Sequence, residues 1–293
     1  MVFLSYLISG IGLGSVYAII ALGYSMVYGI AKMLNFAHGD VIMIGAYIAF
    51  FALSRYNMPV LLAILIAVLV CTCLGIVIEK LAYKPLRQAT SLAVLITAIG
   101  VSYFLQNLAQ LLWTSSPKFF TSIVGNGSFS LFDGQLNITY INVITIVTCI
   151  IIMIVLTLFI NNTKIGRAMR ACSEDKDAAR LMGINVNKTI SITFAIGSGL
   201  AAIASVLLCS TYPTISPTLG SMPGIKAFTA AVFGGIGSIP GALVGGLLLG
   251  IIENLAKAYI STQLSDAIVF AVLIIVLLIK PAGILGKKIN EKV

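Results

Sequence analysis

The sequence is poor in charge. Only 9% of its 293 residues are Asp, Glu, Lys or Arg, whereas 59% are hydrophobic; soluble domains carry roughly 25% charged residues. A soluble fold could not cover that much apolar surface, so the composition excludes one and predicts an all-α polytopic membrane protein. The N-terminus lacks the basic stretch of a cleaved signal peptide, and we expect it to form the first transmembrane helix.

Residue sets that carry chemistry are also scarce. The chain has one histidine and five cysteines, and it contains no HExxH motif and no GxxxxGK[ST] loop. The C-x-C of Cys71 and Cys73 has no second pair beside it, which disfavours zinc. We therefore expect no catalytic residues, no metal and no bound cofactor. The net charge of +9 comes from basic residues scattered among membrane loops, so we expect no nucleic-acid partner.

The apolar runs predict seven full crossings and one Gly-rich re-entrant or broken helix pair in a single transmembrane domain spanning 1–293. An eight-span count stays open. A run at 41–53 is shorter than the roughly 17 residues of a simple span, so either that span begins earlier or its helix is broken near 35–40. The other spans are expected at 3–28, 59–78, 92–113, 140–160, 189–211 and 264–279.

The segment 226–258 is apolar but is interrupted by GGIGSIPG. The positive-inside rule favours a re-entrant pair there, because the basic tail at 287–293 then lies inside with most of the 18 Lys and Arg residues and the N-terminus lies outside. A single crossing is the alternative. The segment contains two GxxxG spacings that predict a helix-packing face, formed by Gly241, Gly245, Gly246 and Gly250.

One long polar passage, 161–188, lies between two apolar runs. Ser173 is a plausible N-cap and Gly183 a plausible helix end, which predicts a short helix from Glu174 to Met182. A small, capped helix with charged rims suits docking into a partner's groove. The alternative is a solvated loop that happens to coil.

Polar residues also lie where the second span is interrupted. Interrupted helices often mark the substrate route of a transporter, which makes Asn35, His38 and Asp40 candidates for that route. Alternatively, Asn35 and Asp40 cap helix ends and His38 packs against backbone. Glu253 and Asp266 are interpreted as helix-end residues. The spans then hold almost no ionisable groups, which disfavours an ion-coupled carrier or channel.

Three motifs carry a family resemblance. YAIIALGYSMVYGIAKMLNFAHGD, GRAMRACSEDKDAARLMGI and AVFGGIGSIPGALVGGLLLGIIENL occur in that order. Together they resemble the permease subunit of bacterial branched-chain amino acid ABC importers, the LivH type. The central and late motifs are shared with related permeases for urea and short amides, which are the nearest alternative.

The resemblance implies a permease in the cytoplasmic (inner) membrane that moves Leu, Ile and Val but is not itself an enzyme. It also implies that 161–188 is a coupling loop, with ATP and Mg²⁺ bound by two cytoplasmic ATPase subunits. The other implied partners are a second, related permease and an extracytoplasmic substrate-binding protein. The residues carried over to ATPase coupling are Gly166, Arg170, Glu174, Asp175, Ala178, Ala179, Arg180 and Gly183.

Overall fold

The computed structural model describes residues 2–125, 127–131 and 136–286, so the predicted basic tail at 287–293 lies outside the described residues. The chain is mostly helical: α1 (Val2–Ala31), α2 (His38–Ser54), α3 (Val60–Ile78), α4 (Ser91–Trp113), α5 (Tyr140–Asn162), α6 (Lys164–Glu174), α7 (Lys176–Leu181), α8 (Val186–Thr211), α9 (Ser221–Gly234), α10 (Ile239–Tyr259) and α11 (Ser265–Ile279). A π-helical turn (Glu79–Tyr83) and a 3₁₀ turn (Lys84–Leu86) extend α3. The short strands are β1 (Lys118–Phe119), β2 (Ser128–Leu131), β3 (Leu136–Thr139) and β4 (Thr214–Ile215).

The apolar helices confirm the all-α polytopic membrane class. In the part of the chain that the structure describes, six helices are long and apolar enough to cross a bilayer: α1, α3 with its extension, α4, α5, α8 and α10. α2 and α11 are shorter apolar helices. Segment 226–258 is a broken pair, because the 14-residue α9 stops at Gly234 and the 21-residue α10 follows. The return limb, α10, is long and apolar enough to cross a bilayer by itself.

The two ends of the helix bundle differ. On the strand face, β1 pairs antiparallel with β4, and β2 pairs antiparallel with β3. The opposite end, the α6–α7 face, carries the polar helices. There Lys176 Nζ donates to the carbonyl of Ala31 at 2.6 Å, which places the end of α1 on this face. The last described residues return to the same face, where the Ile284 N–H donates to the carbonyl of Phe233 at 2.9 Å.

The helices form two similar halves of opposite orientation. α1 packs along α10, and α8 packs along α3 in the corresponding way. α2 lies against α3 and α8, whereas α9 lies against α10 and α1. By these contacts α1–α4 correspond in order to α8–α11, and corresponding helices run in opposite directions between the strand face and the α6–α7 face. Inverted repeats of this kind commonly place interrupted helices at the interface between the repeats.

The two halves retain a short sequence likeness. Residues 74–82 read LGIVIEKLA and residues 249–256 read LGIIENLA. The glycine of each copy packs against the long first helix of the other half, Gly75 against α8 and Gly250 against α1. The first copy is one residue longer, and the π-helical turn Glu79–Tyr83 accommodates the extra residue.

The glycines of α10 lie at close helix contacts. Gly241 and Gly245 face the backbone of α9, whereas Gly246 and Gly250 face α1. A Cβ added at Gly250 would overlap the backbone of Gly14, so neither helix could remain in place. In a bilayer, association of this kind relies on close van der Waals approach, because lipid tails are as apolar as the helices.

The α1–α10 contact yields a stability prediction. Gly250→Ala should lower the apparent unfolding free energy by about 1–3 kcal/mol, the usual cost of overpacking. The midpoint of a heating series followed by size-exclusion chromatography measures it. Gly100→Ala in α4 is the matched control, since a Cβ there meets nothing within 4 Å. Equal midpoints for the two variants would contradict the packing argument.

Candidate functional site

Two interrupted crossings meet inside the bundle. The chain returns from the α6–α7 face through 32–37 before α2 begins, and from the strand face through 212–220 before α9 begins. The N-termini of these helices touch, because a Cβ on Gly220 would overlap the carbonyl oxygen of Gly39. The neighbouring His38 packs on Gly23, which in turn approaches Gly197 near the middle of α8. The junction therefore lies at mid-depth, between the two repeats.

Asn35 and His38 are buried in packed protein beside the junction. Asn35 is buried, and its Oδ1 accepts a hydrogen bond of 2.8 Å from Tyr83 Oη, which ties the segment before α2 to the π-helical turn. His38 is buried with its ring edge-on to Tyr24, centroids 4.7 Å apart. Its Nε2 lies beside the backbone of Gly23. Both residues fix the position of the interrupted segment.

Asp40, the third of the predicted pathway residues, lines a cavity of about 530 Å³. The cavity walls include the first turns of α2 and α9 together with Ser102 and Gln106 of α4. Its mouth is formed by apolar side chains that are exposed on this chain, Ile99, Tyr103 and Ile225. The cavity thus opens sideways from the bundle, between α4 and α9.

Gln106 links the two interrupted helices across the cavity. Its Nε2 donates to Asp40 Oδ1 at 2.9 Å and lies 3.4 Å from Ser221 Oγ in the first turn of α9. It also lies 3.2 Å from Ser102 Oγ on its own helix. The sequence reasoning missed Gln106 and Ser221. The polar residues inside the fourth span, Gln106 with Asn107 and Gln110, were the available signal.

A second buried group is ionic. Lys226 of α9 pairs with Glu253 of α10 at 2.9 Å and with Asp266 of α11 at 2.7 Å. Glu253 also pairs with Lys257 at 2.6 Å and accepts from Tyr17 Oη of α1 at 2.9 Å. The exposed fractions of the Lys226 and Glu253 side chains are 8% and 1%. This ion network ties four helices together.

The ion network corrects the sequence interpretation. Glu253 is not simply a helix-end residue, and the spans do contain buried ionisable groups. The scarcity of ionisable groups in the spans is therefore not in itself an argument against an ion-coupled carrier. The other repeat holds a buried acid as well: Glu79 pairs with Arg87 and accepts from Ser191 Oγ of α8 at 2.6 Å. The two acids, Glu79 and Glu253, lie in the related segments 74–82 and 249–256. Each of them connects the two halves.

The polar passage forms two helices, so the predicted single helix from Glu174 to Met182 is wrong. α6 begins earlier because Thr163 is its N-cap and accepts from the Gly166 N–H at 2.9 Å. Ser173 lies within the last turn of α6 and caps nothing. The real cap of α7 is Asp175, whose extended backbone breaks the helix. Gly183 does adopt the left-handed conformation, with φ of 81°.

The cap of α7 is electrostatically well defined. Asp175 Oδ1 accepts from the N–H groups of Asp177 and Ala178 at 2.8 and 3.0 Å. Those N–H groups, that of Ala178 foremost, lower the pKa of the exposed Asp175 carboxyl. Burial and the nearby cations Arg87 and Lys32 lower the pKa of Lys176.

The residues assigned to coupling divide into two sets. Gly166 is buried against the end of α5, and Arg170 donates to Asn161, so these two hold α6 to the bundle. Ala179 lies on the buried face of α7. The remaining residues are exposed: Glu174, Asp175, Ala178, Arg180 and Gly183. Beside them Leu181 and Met182 are 90% and 83% exposed, which makes an apolar tip on an otherwise polar face.

Comparisons with known proteins point to one family. The family model described as branched-chain amino acid transport system / permease component matches residues 6–277. The chain is 46% identical to the high-affinity branched-chain amino acid transport system permease protein BraD of Pseudomonas aeruginosa, over 99% of this chain and 98% of that protein. It is 46% and 45% identical to the LivH proteins of Salmonella typhimurium and Escherichia coli, with the same coverage. These matches confirm the resemblance that the three motifs indicated.

The ion network yields a stability prediction. Glu253→Gln should lower the apparent unfolding free energy by about 3–5 kcal/mol, because it leaves Lys226 buried with less compensation. The double variant Lys226→Met/Glu253→Gln removes one charge of each sign and should regain part of that loss. Thermal midpoints of the purified variants measure both effects. A double variant less stable than either single variant would show that the two residues do not act as a pair.

Proposed function

The chain belongs to the branched-chain amino acid permease family, and on that premise we propose that it is the transmembrane subunit of an ATP-driven importer of Leu, Ile and Val. The observation that carries the proposal is the family match over nearly the whole chain, with 46% identity to BraD. The chain is a transport subunit and not an enzyme. In this proposal it binds no cofactor, and ATP and Mg²⁺ are held by two partner ATPase subunits.

The α6–α7 face is assigned to the cytoplasm, where the ATPases dock. The exposed Leu181 and Met182 supply the apolar contact, and Asp175, Ala178 and Arg180 supply the polar rim. Exposed apolar side chains on an aqueous face are typical of an interaction site. In this orientation the N-terminus lies outside, the C-terminal tail lies inside, and the substrate-binding protein delivers its cargo to the strand face.

A chain of contacts connects the docking tip to the cavity. Lys176 of α7 holds the last carbonyl of α1, that of Ala31. The next residue, Lys32, has a φ of 58° and begins the interrupted segment that leads to Asp40. Movement of α7 by the ATPases would therefore act on α1 and on the segment that positions the cavity wall.

The cavity mouth is assigned to a second permease. Ile99, Tyr103 and Ile225 surround an opening that leads to a polar interior. Lipid tails do not satisfy polar groups such as those of Asp40 and Gln106. A related permease facing this side would complete the walls of a pathway between the two subunits, as a heterodimer.

The proposed function is tested on the native complex. Purification from the membrane is expected to recover two ATPase subunits and a second permease. Proteoliposomes of that complex, with the binding protein outside, should accumulate leucine only when ATP is supplied on the ATPase side. Leucine uptake by this chain alone without ATP would favour a carrier or channel instead. ATP-driven uptake of urea or short amides without leucine would favour the related amide importers.

The α7 cap yields a coupling prediction. Asp175→Ala removes both cap hydrogen bonds, and we expect leucine uptake to fall several-fold while ATP hydrolysis continues. Asp175→Asn keeps an acceptor oxygen at the same place and is the matched control, with uptake near that of the wild type. Uptake and hydrolysis are measured on the same proteoliposomes. Equal uptake by the two variants would remove the cap from the mechanism.

The pH dependence of this cap follows from the lowered pKa. A carboxyl with a lowered folded-state pKa contributes fully above its ordinary value of 3.8, and its contribution is lost only as the pH falls through the lower value. Coupling through Asp175 should therefore not vary with pH across the neutral range.

A further inference from the structure

The cavity at the junction contains a charge without a counter-charge. Asp40 is 2% exposed, and its side chain accepts a hydrogen bond from the neutral side chain of Gln106. Within the described ranges, no Lys or Arg forms an ion pair with it. Asp40 lies in the first turn of α2, where the helix N-terminus supplies only partial positive charge. A buried carboxylate is costly unless it is paired, so this arrangement favours a full cation arriving from the cavity.

The other buried acids show that this chain pairs its acids where they are structural. Glu79 meets Arg87, and Glu253 meets Lys226 and Lys257. Both acids lie between packed helices. Asp40 alone among the buried acids of the described chain faces a cavity and has no cation. The acids that lie between packed helices are thus paired with cations, whereas the acid that faces the cavity is not.

The opposite wall of the cavity has the complementary polarity. Gly220 and Ser221 open the 14-residue α9, whose N-terminal end carries positive partial charge, and the Ser221 hydroxyl can donate a hydrogen bond into the cavity. Carboxylates bind readily at such ends. Gln106 Nε2 reaches both Asp40 and Ser221, so one polar group separates the acid from the start of α9.

Most of the remaining lining is apolar, and the rings of Tyr24 and Tyr103 contribute to it. Phe36, Leu95, Ile99 and Ile225 line the same space. Its volume of about 530 Å³ lies within the usual range of small-molecule sites, about 300–1,000 Å³. A ligand with an ammonium, a carboxylate close to it and an aliphatic side chain matches all three kinds of surface.

We propose that this cavity binds the transported amino acid as a zwitterion, with its α-ammonium group on Asp40 and its α-carboxylate at the first turn of α9. Gln106 lies between these groups and moves aside when the substrate enters. The inference rests on the proposed function, since it takes the substrate to be a branched-chain amino acid.

The test uses the complete importer in nanodiscs, without the binding protein, and three probes. Leucine carries both charges, 3-methylbutylamine lacks the carboxylate, and 4-methylpentanoate lacks the ammonium. Asp40→Asn should weaken the binding of leucine and of 3-methylbutylamine at least tenfold. It should leave the binding of 4-methylpentanoate unchanged or make it tighter. Competition with radiolabelled leucine measures all three affinities. Asn107→Ala, the next residue after Gln106 on α4, is the control and should change none of them.

Stability separates a ligand-binding acid from a structural one. Because Asp40 has no counter-charge, Asp40→Asn should leave the thermal midpoint unchanged or raise it. A structural acid would lower the midpoint when it is replaced. Gln106→Ala is a second, independent variant, and it should keep or strengthen leucine binding because it removes the group that competes for Asp40.

Each contrary result is distinct. Unchanged leucine affinity in Asp40→Asn, loss of leucine binding in Gln106→Ala, or no leucine binding by a wild-type importer that transports leucine would overturn the site. The proposed function would stand in all three cases. Failure of the wild-type complex to import any branched-chain amino acid would overturn the proposed function itself.

Discussion

The contact between Gly39 and Gly220 is the constraint on which the rest of the structure depends. A membrane helix can be interrupted only where its free backbone groups are buried in protein or face a polar cavity. Two interruptions at the same depth meet this requirement together, but only if the two backbones come closer than a side chain would allow. Gly23 and Gly197 bring the long helices of the two repeats together beside this point. The cavity is the space that these close helix contacts leave open.

Hydrophobic runs predicted the long helices well, because burial in lipid constrains every residue of a span. The interrupted helices were harder. The short run at 41–53 indicated a break near Asp40, but its counterpart at Gly220 lies in a Pro-rich segment that reads as an ordinary loop. The likeness between 74–82 and 249–256 was the signal for an inverted repeat, and the one-residue difference in length concealed it.

Side-chain partners were the least predictable feature. Glu253 is near a helix end in sequence, and only packing brings it to Lys226 and Tyr17 on other helices. The break at Asp175 had a similar cause, since Ser173 and Asp175 are both good caps and the choice depends on where α6 ends. Local propensity ranks such alternatives but does not decide between them.

The charged residues that stabilise the helix packing lie apart from the cavity that is proposed to carry the substrate. The ion pairs of Glu79 and Glu253 lie within one repeat each and would resist relative movement of the helices they join. Each acid also accepts one hydrogen bond from the other repeat. Across the cavity, by contrast, a neutral side chain, Gln106, links the two interrupted helices, and it lies within reach of more than one partner. A transporter needs rigid halves and a weak latch between them. The fold places ion pairs inside each repeat and a single exchangeable hydrogen-bond donor where the pathway must open.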